Sequence, residues 1–253
     1  MNSQQLLDEL IHFSNNVKSE TVDTIKTGAA NNELQKVAIC FIATPNVIAA
    51  AHSWGADLLI THEPTFHNHF DNMIDCDVIK SKNQLIEATG MTIFRFHDHA
   101  HYAVPDIIVS GLINTLGWKG DYDGKWRLIL KKAKTPRELA NDIKTKTQAA
   151  HVRMAGAIDT PITKIDLYVG APGNQPYLDQ RDGDTELSIC GEITEWCHAE
   201  YVRDAAELGF NKSLIVFGHV ASERDGMKYL CQKIKTLHPE LEIQYFECGE
   251  SLI

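Results

Sequence analysis

Two short apolar runs, KVAICFIAT (36–44) and DLLIT (57–61), constrain this chain more than any other feature. Neither alternates polar with apolar residues, so each reads as a strand covered on both faces of a sheet. Between them PNVIAAAHSWG (45–55) opens on proline and closes on glycine, the punctuation of a short helix. The result is a β-α-β unit. It recurs at once, with a helix predicted over 78–89, a stop at Gly90 and the strand MTIFRF (91–96). Ahead of it, residues 3–14 place Leu6, Leu7, Leu10 and Ile11 at helical spacing, with Ser3 positioned to cap.

From near Lys125 the pattern resumes. WRLILKK is a strand, and TPRELANDIKTKTQ is a helix in which Thr135, Pro136 and Glu138 form a capping box. Strands are predicted around 151–156, 164–169 and 187–191, and APGNQPYLDQRDGD (171–184), rich in Pro, Gly and Asp, reads as a loop. Helices over 194–209 and 225–238 alternate with the strands SLIVFG and EIQYFE. The expected fold class is α/β, with mostly parallel or mixed sheets in two domains, 1–124 and 125–253.

A net charge of −10 argues against a nucleic-acid partner, which needs a basic face. The one basic cluster, KKAK (131–134), reads as the surface end of a strand. MNSQQLLDELIHF is too polar for a signal peptide, and no apolar run approaches the roughly 20 residues of a membrane span. Six scattered cysteines without a C-x-x-C pair suggest reduced thiols and a cytoplasmic location.

Histidine is the unusual residue, at twelve copies. In open α/β sheets ligands bind past the C-terminal ends of strands, and three such ends carry metal-binding side chains. His62 and Glu63 follow DLLIT. His97, Asp98, His99 and His101 follow MTIFRF. His219 follows SLIVFG, with Glu223 four residues on, where a helix would bring the two onto one face. Imidazoles mixed with carboxylates suit zinc, iron or manganese. Five or more such ligands exceed one four-coordinate zinc and fit two divalent ions sharing a carboxylate or water, the pairing that activates water for hydrolysis. His67 and His69 lie beyond the first turn of THEPTFHNH and are expected beside the ligands or facing substrate. His12, His52, His151 and His238 read as surface residues and His198 as part of a helix. VGAPGN (169–174) reads as a turn, and there is neither a G-x-S-x-G elbow nor a P-loop.

These landmarks resemble a known family. ADLLITHEP (56–64) resembles the G-A-D-L-L-I-T-H-H-P signature of the Nif-three-like proteins, the dinuclear-metal-centre family whose members carry the label GTP cyclohydrolase type 2 homologue. GHVASERDGMKYL (218–230) is similar to that family's G-H-x-x-T-E-x-x-G, and SICGEITEW (188–196) to its T-G-E segment. FRFHDHAH (94–101) falls where the family has H-T-x-x-D. The resemblance implies that His62, Glu63, His101, His219 and Glu223 hold two divalent ions per subunit, with Glu223 bridging. Glu63 stands where the family has a second histidine. His101 stands at the family's aspartate, unless Asp98 has taken that place, and His97 is a ligand or a neighbour of one. The C-terminal part, about 213–253, would return to complete the site. The family assembles as a toroidal hexamer, so a homo-oligomeric ring is implied.

The resulting expectation is a metal-dependent hydrolase acting on a small phosphorylated or nucleotide-like substrate. Glu63 and Glu223 would move protons, and His97, His99, His67 or His69 would stabilise the leaving group. The alternative is a non-catalytic ring protein that binds or stores metal or has a regulatory role, which a closed coordination shell would favour.

Overall fold

The computed structural model describes residues 1–252. They divide into two compact units, 1–107 with 227–249, and 108–226 with the segment from Glu250 on. The sequence placed the division at 124/125.

The first unit begins with α1 (Ser3–Phe13), β1 (Ile25–Thr27), β2 (Lys36–Cys40), α2 (Pro45–Trp54), β3 (Leu58–Thr61), α3 (Asp77–Thr89), β4 (Thr92–Arg95) and the short α4 (Asp98–Tyr102). The second holds α5 (Ile107–Leu116), β5 (Gly120–Tyr122), β6 (Arg127–Lys134), α6 (Pro136–Thr147), β7 (Arg153–Gly156), β8 (Ile162–Tyr168), α7 (Gln175–Asp182), β9 (Leu187–Cys190), α8 (Glu195–Glu207) and β10 (Ser213–Val216). The long α9 (His219–Leu237) leads back to the first unit, which ends with β11 (Glu242–Tyr245).

In the first unit the strand order is β1-β4-β3-β2-β11, parallel throughout except for β1. The second has a mixed sheet, β5-β6-β8-β9-β10-β7, whose parallel centre is β8-β9-β10. Every residue of β3, β4, β9 and β10 is buried, which accounts for their unalternating apolar sequences. Ile48, Leu59 and Ile93, all fully buried, share the core of the first unit. Leu139, Ile165 and Leu187 share that of the second. Burying each such side chain contributes roughly 1.5–3 kcal/mol.

The caps follow the sequence with one change. Thr44 caps α2 and Thr135 forms the expected box with Glu138 on α6. At α1 the cap is Asn2 rather than Ser3. Asn2 is extended and exchanges hydrogen bonds with Gln5, while Ser3 is already helical and buried. Two further expectations change. The predicted loop at 171–184 contains α7, because Pro176 sits in the first turn, where no intrahelical N–H is needed. The last long helix starts at His219, not Asp225, so His219 and Glu223 share its first turns.

No helix among the described residues is long and apolar enough to cross a membrane.

Candidate metal centre

Because β3 and β4 are parallel and adjacent, their C-terminal ends open on the same side. His62 leaves β3 fully buried, and the backbone N–H groups of His62 and Glu63 both donate to the Phe41 carbonyl. The His62 ring lies 3.0 Å through Nδ1 from the Phe96 carbonyl. A carbonyl only accepts, so Nδ1 carries the proton and Nε2 presents its lone pair.

The same logic fixes two more rings. His101 Nδ1 lies 3.0 Å from Asp106 Oδ2, and His97 Nδ1 lies 2.9 Å from Asp98 Oδ1. All three imidazoles are therefore held by an acceptor at Nδ1, which directs Nε2 outward, the arrangement that orients metal-binding histidines. One ring nitrogen from each lies within 4.8 Å of the others. The Nε2 atoms of His62 and His101 are 3.3 Å apart. Lone pairs at that separation repel unless a proton or a cation lies between them. Burial, reinforced by His97 and His101, holds the His62 pKa well below the ordinary value, so this ring stays a neutral donor. Glu63 lies at the rim, its Oε1 3.7 Å from His97 Nε2.

What positions these rings was not visible in the sequence. Asp23, buried just before β1, accepts the backbone N–H groups of His97 (2.6 Å), Asp98 (2.9 Å) and His99 (2.7 Å), and also His99 Nδ1 (2.7 Å). One carboxylate thereby satisfies the orphan donors that start α4. Arg95, also buried, donates through Nε to the His62 carbonyl and through Nη1 to the His69 carbonyl. Lys82 donates to the Thr65 carbonyl, and Asp71 accepts the Phe66 N–H. THEPTFHNHFD is thus pinned from beneath.

The second unit gathers its own donors past the ends of β8, β9 and β10. His219 and Glu223 share a face of α9, with His219 Nε2 3.1 Å from Glu223 Oε2. His219 Nδ1 lies 2.9 Å from Glu192 Oε1, in the loop after β9. If Nδ1 donates to Glu192, Nε2 faces the buried Glu223 carboxylate as a lone pair, again a place for a proton or a cation. Gly170 makes room for that carboxylate. A methyl group at 170, where φ is +67°, would sit 2.4 Å from Glu223 Oε1. The Gly170 N–H donates to Ser222 Oγ at 2.9 Å. The segment that reads as a turn is therefore a wall of the Glu223 site.

The other candidates lie elsewhere. Asp98 supports His97, and its second oxygen accepts from Thr21 and the Val22 N–H. Burial opposes its charge, but the hydrogen bonds from His97, Val22 and Thr21 outweigh it and hold the carboxyl well below the usual range. His99 has both ring nitrogens engaged, Nδ1 by Asp23 and Nε2 by the Lys18 N–H at 3.1 Å. His67 and His69 are on the exposed part of the loop. Asp23, Asp106, Glu192 and Gly170 are the residues the sequence did not single out as site residues. Glu192 alone had a signal, inside SICGEITEW.

Fold and site together define an α/β protein with imidazoles and carboxylates collected at strand ends. The chain belongs to the Duf34/NIF3 (NGG1p interacting factor 3) family, whose model matches residues 2–250. A relative from Clostridium perfringens named "GTP cyclohydrolase 1 type 2 homolog" is 25% identical over 223 residues, covering 83% of this chain and 82% of its own. Among solved structures, a Bacillus cereus protein related to NIF3 superposes with a TM-score of 0.79 at 12% identity, over 100% of this chain and 99% of that one. Staphylococcus aureus protein SA1388 gives 0.79 at 16% identity, over 100% and 98%. The structural likenesses establish the shared fold.

Proposed function

We propose that this protein is a metal-dependent hydrolase whose centre takes two divalent ions, zinc, iron or manganese, on His62, Glu63, His101, His219 and Glu223. The observation that carries the reading is the set of three imidazoles, His62, His97 and His101, each held at Nδ1 by an oxygen acceptor so that its Nε2 lone pair is offered to a shared space. Such donors fit borderline divalent metals, and their hydrogen-bonded acceptors fix the tautomer that ligation requires. The ions supply Lewis acidity and lower the pKa of water in the site.

The chain's own residues supply the rest. Glu63 and Glu223 are the carboxylates able to take a proton from the attacking water. Glu63, whose Oε1 lies 3.7 Å from His97 Nε2, would pass the proton taken from water to that nitrogen, and His97, held by Asp98, would return it to the departing oxygen. Glu63 in place of the family's second histidine, and His101 in place of its aspartate, leave the numbers of imidazoles and carboxylates unchanged. The substrate is a small phosphorylated or nucleotide-like molecule, and the working form is a homo-oligomeric ring, by family resemblance.

The test is the metal content of purified protein, followed by assays against a panel of nucleotides and phosphoesters with and without chelator. Stoichiometric metal and chelator-sensitive hydrolysis support the proposal. Metal whose removal melts the protein, with no hydrolysis under any ion, would instead make it a metal-binding ring protein.

A further inference from the structure

We infer that a cavity in the second unit binds the phosphate-bearing part of the substrate, with Arg153 and His151 as the anion-recognising residues. The inference rests on the hydrolase reading, since it deepens the substrate class proposed for that site. The cavity has a volume of about 540 Å³, within the range of small-molecule sites. It lies past the C-terminal ends of the parallel strands β9 and β10, where the sheet reverses direction because β7 runs antiparallel to β10. Such a crevice is where α/β sheets receive ligands.

Its lining is chemically divided. Ile193, Val216 and Phe217 form an apolar wall suited to the flat or apolar body of a small molecule. His219, proposed above as a metal ligand, stands in the same lining beside the start of α9. The first N–H groups of that 19-residue helix have no acceptor within the helix and carry its positive end. Arg153 and His151 arrive from the start of β7, with Arg153 paired in register to Val216. A guanidinium fork, an imidazole and a helix start facing one space are complementary to a phosphate monoester.

The acidic groups in the lining are already engaged. Glu192 is held by His219, and Glu250 by Arg224 and the Ala150 N–H. Arg153 is paired with Glu195, but both side chains are more than half exposed. An exposed pair of this kind contributes little, so an incoming dianion can displace Glu195. His151, set aside in the sequence as a surface residue, gains a role from this placement.

The test measures binding of GMP and of p-nitrophenyl phosphate to the full-length protein, as purified and after chelation, with guanosine and p-nitrophenol as the matching phosphate-free probes. Both esters are expected to bind saturably and their phosphate-free counterparts far more weakly; an advantage of GMP would identify a nucleotide as the preferred body. Arg153→Gln weakens ester binding about tenfold or more, and His151→Gln weakens it measurably. Lys132→Gln, an exposed lysine on β6, leaves it unchanged, and all three variants keep the wild-type metal content. Ester binding that both Arg153→Gln and His151→Gln leave within about twofold of wild type, or no saturable ester binding at all, overturns the inference. The two readings fail separately. Ester binding that depends on Arg153 in a protein that takes up no metal sinks the hydrolase centre and leaves the cavity; stoichiometric metal without ester binding does the reverse.

Discussion

His62 and His101 turn their Nε2 atoms toward each other at 3.3 Å, although 38 residues of chain separate them. Each ring is fixed from behind, His62 by the Phe96 carbonyl and His101 by Asp106. The protein has therefore brought two imidazole Nε2 atoms into a contact that a proton or a cation between them would stabilise. Removing the support of one ring tests this. Asp106→Ala frees His101 to rotate and change tautomer, and metal affinity is expected to fall about 10- to 100-fold. Competition against a chromophoric chelator measures it; unchanged affinity means His101 is not oriented for ligation.

Asp23 carries a heavier load. Its carboxylate accepts three backbone N–H groups and one imidazole nitrogen in a buried setting. Asp23→Ala leaves several of these donors without an acceptor and is expected to cost about 3 kcal/mol or more of unfolding free energy. Urea unfolding of wild type and variant reads the loss. A destabilisation below about 0.5 kcal/mol would show that water replaces the carboxylate without penalty.

Gly170 tests the proposed role of Glu223. Alanine there meets both a positive φ and the Glu223 carboxylate. Gly170→Ala is expected to destabilise the fold by about 1–3 kcal/mol and to lower metal content by displacing Glu223. Metal analysis of the folded variant decides it, since full occupancy would place Glu223 outside the ligand set.

How much of this was legible in the sequence differs by element. β2, α2 and β3 were readable because unbroken apolar runs and Pro/Gly punctuation are local signals. The short α4 was not, because five residues, DHAHY, are too few to show a period. α7 was hidden by its Pro- and Asp-rich composition, although its proline occupies the one helical turn that tolerates it. His62, His101, His219 and Glu223 stood out as ligand-type residues at strand ends and by family resemblance. Their supports did not. Asp23 reaches His97 across 74 residues, and Gly170 shows its purpose only when Glu223 lies against it. Asp98 did stand out, as the fallback for the family's aspartate or as a neighbour of the ligands, but spacing alone cannot distinguish a ligand from a group that orients one; in the structure it holds His97 Nδ1 at 2.9 Å.

His198 gives a pH prediction independent of the metal. It is buried in α8, its Nε2–H donating to Gln180 Oε1 at 2.8 Å, and burial pushes its pKa down to about 4. In the unfolded chain the group titrates near 6.5, so between those values the unfolded state holds a proton that the folded state lacks. Its stability contribution is complete above pH 6.5 and is lost as pH falls toward 4, by about 3 kcal/mol. His198→Gln should flatten that part of the stability–pH curve relative to wild type. Parallel curves for the two proteins would show that His198 is protonated in the fold.

The most direct measurement is anomalous scattering from crystals of the full-length protein loaded with manganese or zinc. Two peaks are expected, with His62, Glu63, His101, His219 and Glu223 as the ligands and Glu223 shared between them. Peaks located elsewhere, with His62 and Glu223 far from any common ion, would contradict the account.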